Sequence, residues 1–110
     1  HNFIAGFEGV PSATGRQRGL LARDRERLQI HAPEFQTKVG YPVPGPGKAN
    51  LAMSTNHVAD RFGCVAATLE MPFKDADDLP EPECGWSPER SRRLAVACLA
   101  ALADIIDDLG

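Results

Sequence analysis

Glu70 closes the run Cys64-Val65-Ala66-Ala67-Thr68-Leu69, an apolar stretch that begins after Gly63 and is stopped by Pro72. A continuous apolar run of this length reads as a strand buried on both faces of a sheet. In open α/β sheets, ligands and reacting groups gather beyond the carboxyl ends of the strands. A carboxylate at such an end is a candidate general base. Glu8 lies in the turn-rich passage between Gly6 and Gly15 that follows the strand-like Asn2–Phe7. It is a second carboxylate that could border the same crevice, although a solvated loop side chain is its simpler reading. His57-Val58-Ala59-Asp60 puts an imidazole and a carboxylate three residues apart on one helical face, but without a third ligand nearby His57 reads as a polar side chain on the helix surface rather than a metal ligand. HExxH, a phosphate-cradling glycine loop and GxSxG are absent. Ser12 and Thr14 have no His or Lys placed to activate them.

The elements that must hold these groups follow from punctuation and periodicity. Gly15 to Ile30 reads as a helix or helical loop packed along Leu20, Leu21 and Leu28, with Arg16, Arg18, Arg23, Arg25 and Arg27 interleaved with Asp24 and Glu26 on a solvated face with local ion pairs, the alternative being an anion-binding surface. From Pro33 to Lys48 the chain carries Tyr41-Pro42-Val43-Pro44-Gly45-Pro46-Gly47, which can hold neither a helix nor an interior strand. A loop this long within one domain is often functional. Asn50 through Phe62 reads as a helix packing through Leu51, Val58 and Phe62, with Gly63 as its C-terminal stop. The acidic, Pro-containing segment from Lys74 to Gly85 is a loop. Ser87-Pro88-Glu89 then has the order of a helix start, with a capping hydroxyl, a proline in the first turn and an acid at the positive end. This last helix should run from Pro88 to about Leu109, its apolar face made by Leu94, Cys98, Leu102, Ile105 and Leu109 with Leu99 and Ile106. Arg90, Arg92 and Arg93 near its start and Asp104, Asp107 and Asp108 near its end oppose the helix dipole, so packing must hold it.

At 110 residues, 43% hydrophobic and 25% charged, the sequence allows one modest globular domain. A net charge of -3 argues against nucleic acid as the main partner. The region from Leu94 to Ile106 is too short, and too interrupted by Asp104, to span a membrane, and the opening residues do not read as a signal peptide. Cys64, Cys84 and Cys98 are odd in number and form no CxxC pair, which points to a reduced, cytoplasmic setting. Cys64 and Cys98 read as small core residues.

Three segments together resemble a known family. They are Thr68-Leu69-Glu70-Met71-Pro72-Phe73-Lys74-Asp75, the upstream Asn2-Phe3-Ile4-Ala5-Gly6-Phe7-Glu8-Gly9-Val10-Pro11-Ser12, and Gly85-Trp86-Ser87-Pro88-Glu89-Arg90. They look like the C-terminal part of a bacterial zinc carboxypeptidase of the cytosolic carboxypeptidase-like group, and the resemblance covers nearly the whole chain. It implies an α/β fold with a mixed, largely parallel eight-stranded sheet flanked by helices, of which residues 1–110 would be the C-terminal portion. It implies that Glu70 accepts a proton from a zinc-bound water and returns it to the leaving amine, with a peptide or protein C-terminus as substrate.

The resemblance also implies what lies elsewhere. The family's zinc ligands, an HxxE pair and a later His, belong before the strand at Asn2–Phe7, and no HxxE occurs here. His1 is too close to that strand for the third ligand. The arginines that grip a substrate carboxylate are likewise expected upstream, and the tyrosine that family members often place some twenty residues before the Glu is missing from Lys48-Ala49-Asn50-Leu51. Tyr41 could reach the site from the Pro/Gly loop. The resulting expectation is a zinc-dependent carboxypeptidase fragment whose partner is the N-terminal portion of the same domain, with Glu70 as its catalytic residue and the Pro33 to Leu51 loop as part of the specificity wall. The alternatives are a metal-free interaction module, or a zinc amidohydrolase or deacylase of the same fold.

Overall fold

A computed structural model describes residues 1–109. The element order is β1 (Phe3–Ala5), α1 (Gly15–His31), α2 (Ser54–Phe62), β2 (Thr68–Glu70) and α3 (Pro88–Leu109). The two strands pair antiparallel with Phe3 opposite Glu70, Ile4 opposite Leu69 and Ala5 opposite Thr68. The chain is thus α/β as expected, but its strands form a two-stranded antiparallel ribbon, and no parallel sheet is seen among the described residues.

The strand expected over Cys64–Leu69 is shorter and shifted, starting only at Thr68. It is not buried on both faces: Cys64, Ala67 and Thr68 are exposed, and Leu69 and Glu70 half-buried. Of the expected run only Thr68 and Leu69 lie in β2, and only the face carrying Leu69 is covered, by the core between the helices.

Helix α1 starts through a capping box that the sequence reading passed over. The Thr14 hydroxyl accepts from the Gln17 backbone N–H at 3.1 Å, and the Gln17 side chain accepts from the Thr14 N–H at 2.8 Å. Gln17 also donates to the Cys64 carbonyl at 3.0 Å, tying the helix start to the segment that leads into β2. Helix α2 ends at Gly63, whose left-handed φ of 62° suits a residue without a Cβ, and whose N–H bonds the Ala59 carbonyl. The face of α2 departs from the expectation: Asn56 and Ala59 are buried, whereas Leu51, Val58 and Phe62 face solvent.

Two apolar clusters hold the layers together. Leu28, Ala32 and Phe35 meet Leu94, Ala97 and Ala101 of α3, with Ile4, Leu69 and Trp86 against them. Phe7, Val10, Ala13, Leu21 and Ala59 make the second. Alanines at 97 and 101 let α1 approach α3 closely. The buried stripe of α3 is therefore Leu94, Ala97, Ala101 and Ile105, while Leu99, Leu102, Ile106 and Leu109, expected in the covered face, are exposed with Val96. Two of the aspartates that oppose the α3 dipole, Asp104 and Asp108, are matched from α1. Arg27 Nε and His31 Nε2 each lie 2.8 Å from Asp104 Oδ2, Arg23 pairs with Asp108, and Arg16 donates to the Asp108 carbonyl at 2.5 Å. Among the described residues, no helix is long and apolar enough to cross a membrane.

Candidate functional site

Directly opposed residues of an antiparallel pair project to the same face, so the register places Glu70 beside Phe3, and Thr68 beside Ala5. Ile4 and Leu69 project the other way, into the core between the helices. Glu70 is the last residue of β2, half-buried, at the carboxyl end of its strand. Tyr41 stands edge-on to Phe3, with ring centroids 5.1 Å apart at 89°. The Pro/Gly loop thus delivers its tyrosine to the residue that flanks Glu70. Thr68 on the same face is bonded to Thr55 of α2 through their hydroxyls at 2.6 Å, which fixes the start of β2.

A groove of about 620 Å³ lies between β1 and the loop from Phe35 to Pro44; Phe3 and Ala5 line it, and Glu70 does not. Phe3, Tyr41, Val43 and Met53 give it apolar walls, Lys38 brings positive charge to it, and Arg25 and Glu8 line it as an ion pair. Gln36 shapes the loop: its carboxamide oxygen accepts from the Lys38 and Val39 N–H groups at 2.9 and 2.7 Å, and its nitrogen donates to the Val39 and Asn2 carbonyls at 2.7 and 3.2 Å. A side chain that folds the backbone around itself in this way makes a preformed wall.

Glu8 is held in an ion pair rather than left solvated. Arg25 Nη1 donates to its carboxylate, and Arg25 Nη2 donates to the Ile4 carbonyl at 2.9 Å. This carboxylate borders the groove as a structural anchor. His57 and Asp60 make no metal pair; Asp60 instead accepts from the Ser12 hydroxyl at 2.5 Å. The ring of His1 faces loop carboxylates, with Nδ1 3.0 Å from Asp78 and Nε2 3.4 Å from Asp77. Among the described residues no group of three or more His, Cys, Asp or Glu could hold a metal ion.

Cys64 and Cys84 are exposed, and Cys98 is half-buried. The core reading therefore fails for Cys64, because the segment carrying it runs along the surface. Burial first, then the nearby Asp24 carboxylate, pushes the Cys98 thiol up.

The residue that sequence reading missed is Arg90. It is 5% exposed, and its guanidinium meets Glu34 Oε2 at 2.9 Å, Asp75 Oδ1 at 2.8 Å, and the Gly85 and Leu79 carbonyls at 3.2 and 2.6 Å. It also lies 4.8 Å from the centroid of the Trp86 ring. Five planar donors suit such a many-sided acceptor set. One signal was present in the sequence: an arginine in the first turn of a helix opposes the dipole, and such a placement asks for a local partner.

No family model matches the chain. An uncharacterized protein from Zymomonas mobilis is 51% identical over 109 residues, which are 99% of this chain and 29% of that protein. A metallo-carboxypeptidase from Pseudomonas aeruginosa, solved in complex with (2-guanidinoethylmercapto)succinic acid, superposes with a TM-score of 0.96 at 49% identity, over 100% of this chain and 29% of that one. A metallo-carboxypeptidase from Burkholderia cenocepacia superposes with a TM-score of 0.90 at 37% identity, over 97% of this chain and 28% of that one. The chain thus spans less than a third of the length of the proteins it matches.

Proposed function

We propose, from the chain's match in sequence and fold to the C-terminal part of bacterial metallo-carboxypeptidases, that it is the C-terminal portion of a catalytic domain that hydrolyses C-terminal peptide bonds. The observation that carries this reading is 49% identity at a TM-score of 0.96 across the entire chain. In the complete domain, β1 and β2 would join a mixed, largely parallel sheet, and the N-terminal portion would supply an HxxE pair and a later His as ligands of zinc. Zinc in such a site polarises the scissile carbonyl and lowers the pKa of water toward ~7.

The part of the chemistry assigned to this chain is proton transfer. Glu70 takes a proton from the attacking water and hands it to the departing amine, so that one carboxylate serves as base and then as acid. Its place at the strand end, on the face shared with Phe3, supports the role. The loop from Pro33 to Leu51 forms part of the specificity wall, and the preformed groove with Tyr41 at its edge supports that.

Replacing Glu70→Gln in the complete protein is expected to lower kcat on peptides by about two to four orders of magnitude while bound zinc is unchanged. Turnover at the parent rate with metal in place would overturn the assignment. Running the same assay on N-acyl amino acids separates a carboxypeptidase from a deacylase of the same chemistry.

A further inference from the structure

Glu70 is the last residue of β2, and Leu69 before it packs into the core between the helices. Beyond it, Met71 and Phe73 are not buried among the described residues, and hydrogen bonds set the path of the chain as it leaves the strand. Two tethers hold the ends of the ribbon, and both end on one side chain. The first runs along the chain: Asp75, five residues past Glu70, receives Arg90 Nη1 at 2.8 Å, and its carboxylate also accepts the Ala76 and Glu81 N–H groups at 2.8 Å each. The carbonyl before it, from Lys74, accepts the Trp86 N–H at 2.6 Å. The second tether runs across the ribbon: Arg90 Nη2 holds Glu34 at 2.9 Å, and the Glu34 carbonyl accepts from Asn2 Nδ2 at 3.3 Å. Asn2 immediately precedes Phe3, the residue opposite Glu70.

Resting on the proposed role of Glu70, we infer that Arg90 is the positioning residue for that carboxylate, setting where β2 exits and where its partner strand begins. The acceptors it joins come from three separate segments, at 34, at 75 to 79 and at 85, and a buried guanidinium can hold them only in the one arrangement that satisfies its planar fork. A lysine would keep the charge without that fork.

The test compares Arg90→Lys, Asp75→Ala and Ile105→Ala with the parent in the complete metal-loaded protein, measuring kcat, KM, metal content and the pH profile of kcat/KM per mole of folded protein. Ile105 lies about four turns further along the same helix, buried and outside the cluster that holds Leu94 and Trp86. Arg90→Lys is expected to lower kcat about tenfold to a hundredfold, with KM within about twofold, unchanged metal and a displaced acid limb of the pH profile. Ile105→Ala should lose stability while keeping kcat and the profile. Asp75→Ala cuts one tether at a half-exposed position, and is expected to repeat the kcat loss in smaller measure should Arg90→Lys not fold. Parent kcat and profile in either tether variant would overturn the inference, as would an equal kcat loss in Ile105→Ala. Failure of the underlying reading shows separately, as full turnover in Glu70→Gln.

Discussion

Gly85 shows how much of the site depends on backbone that only one residue type allows. Its φ is 62°, in the left-handed region, and a Cβ there would overlap the Lys74 carbonyl oxygen, which already accepts the Trp86 N–H. Its own carbonyl accepts from Arg90. Gly85→Ala is therefore expected to destabilise the complete protein by about 1 to 3 kcal/mol, read as a lower denaturant midpoint, and to reduce kcat in the same direction as Arg90→Lys. At this scale the sequence was readable in part. Glu70 stood out because a carboxylate ended an apolar run, and the structure places it at a strand end. Arg90 read only as one of three arginines opposing the helix dipole, since nothing in the local sequence tells that Glu34 and Asp75, 56 and 15 residues away, converge on it.

The elements were legible where they are punctuated and misread where a face had to be chosen. Gly63 and the Ser87-Pro88 start marked the end of α2 and the start of α3 as observed. The faces depended on which neighbour arrives: α1 docks on Leu94, Ala97, Ala101 and Ile105, a stripe that ranks below the leucines in hydrophobicity but admits a second helix closely. Leu94→Ala should cost about 2 to 5 kcal/mol, measured by chemical denaturation, because it empties a fully buried position between those helices. The polar side of the same contact has a pH signature. Hydrogen bonds from His31 and then Arg27 hold the Asp104 carboxyl below its usual value of 3.8. A carboxylate with a lowered folded value adds stability that is fully present above its unfolded value and is lost as pH falls through the folded one. Asp104→Asn should therefore lower stability at neutral pH and flatten the decline below about pH 3.8, so that the two curves converge in acid; parallel curves would sink the assignment.

The whole chain presents an uneven surface. Val96, Leu99, Leu102 and Ile106 form an exposed apolar stripe on α3, and Phe62 and Phe73 are also uncovered. On the proposal that the remainder of the catalytic domain packs there, these side chains become interior. Prepared alone, the 110 residues are expected to self-associate, seen as concentration-dependent light scattering. A monodisperse monomer at high concentration would count against that packing. Periodicity on α3 registered this surplus as one broad face, because a sequence shows how much of a helix is apolar but not how many neighbours share it.

Trp86 is the one tryptophan in these 110 residues, and its indole N–H donates to the Ser91 hydroxyl at 2.9 Å while its ring lies under the Arg90 guanidinium. The chain therefore carries its own optical reporter at the junction of the two tethers. Its emission senses the loss of a stacked cation and the arrival of water locally, before the helices separate, so a change in fluorescence that precedes the loss of helical circular dichroism would mark the opening of that junction as a distinct event.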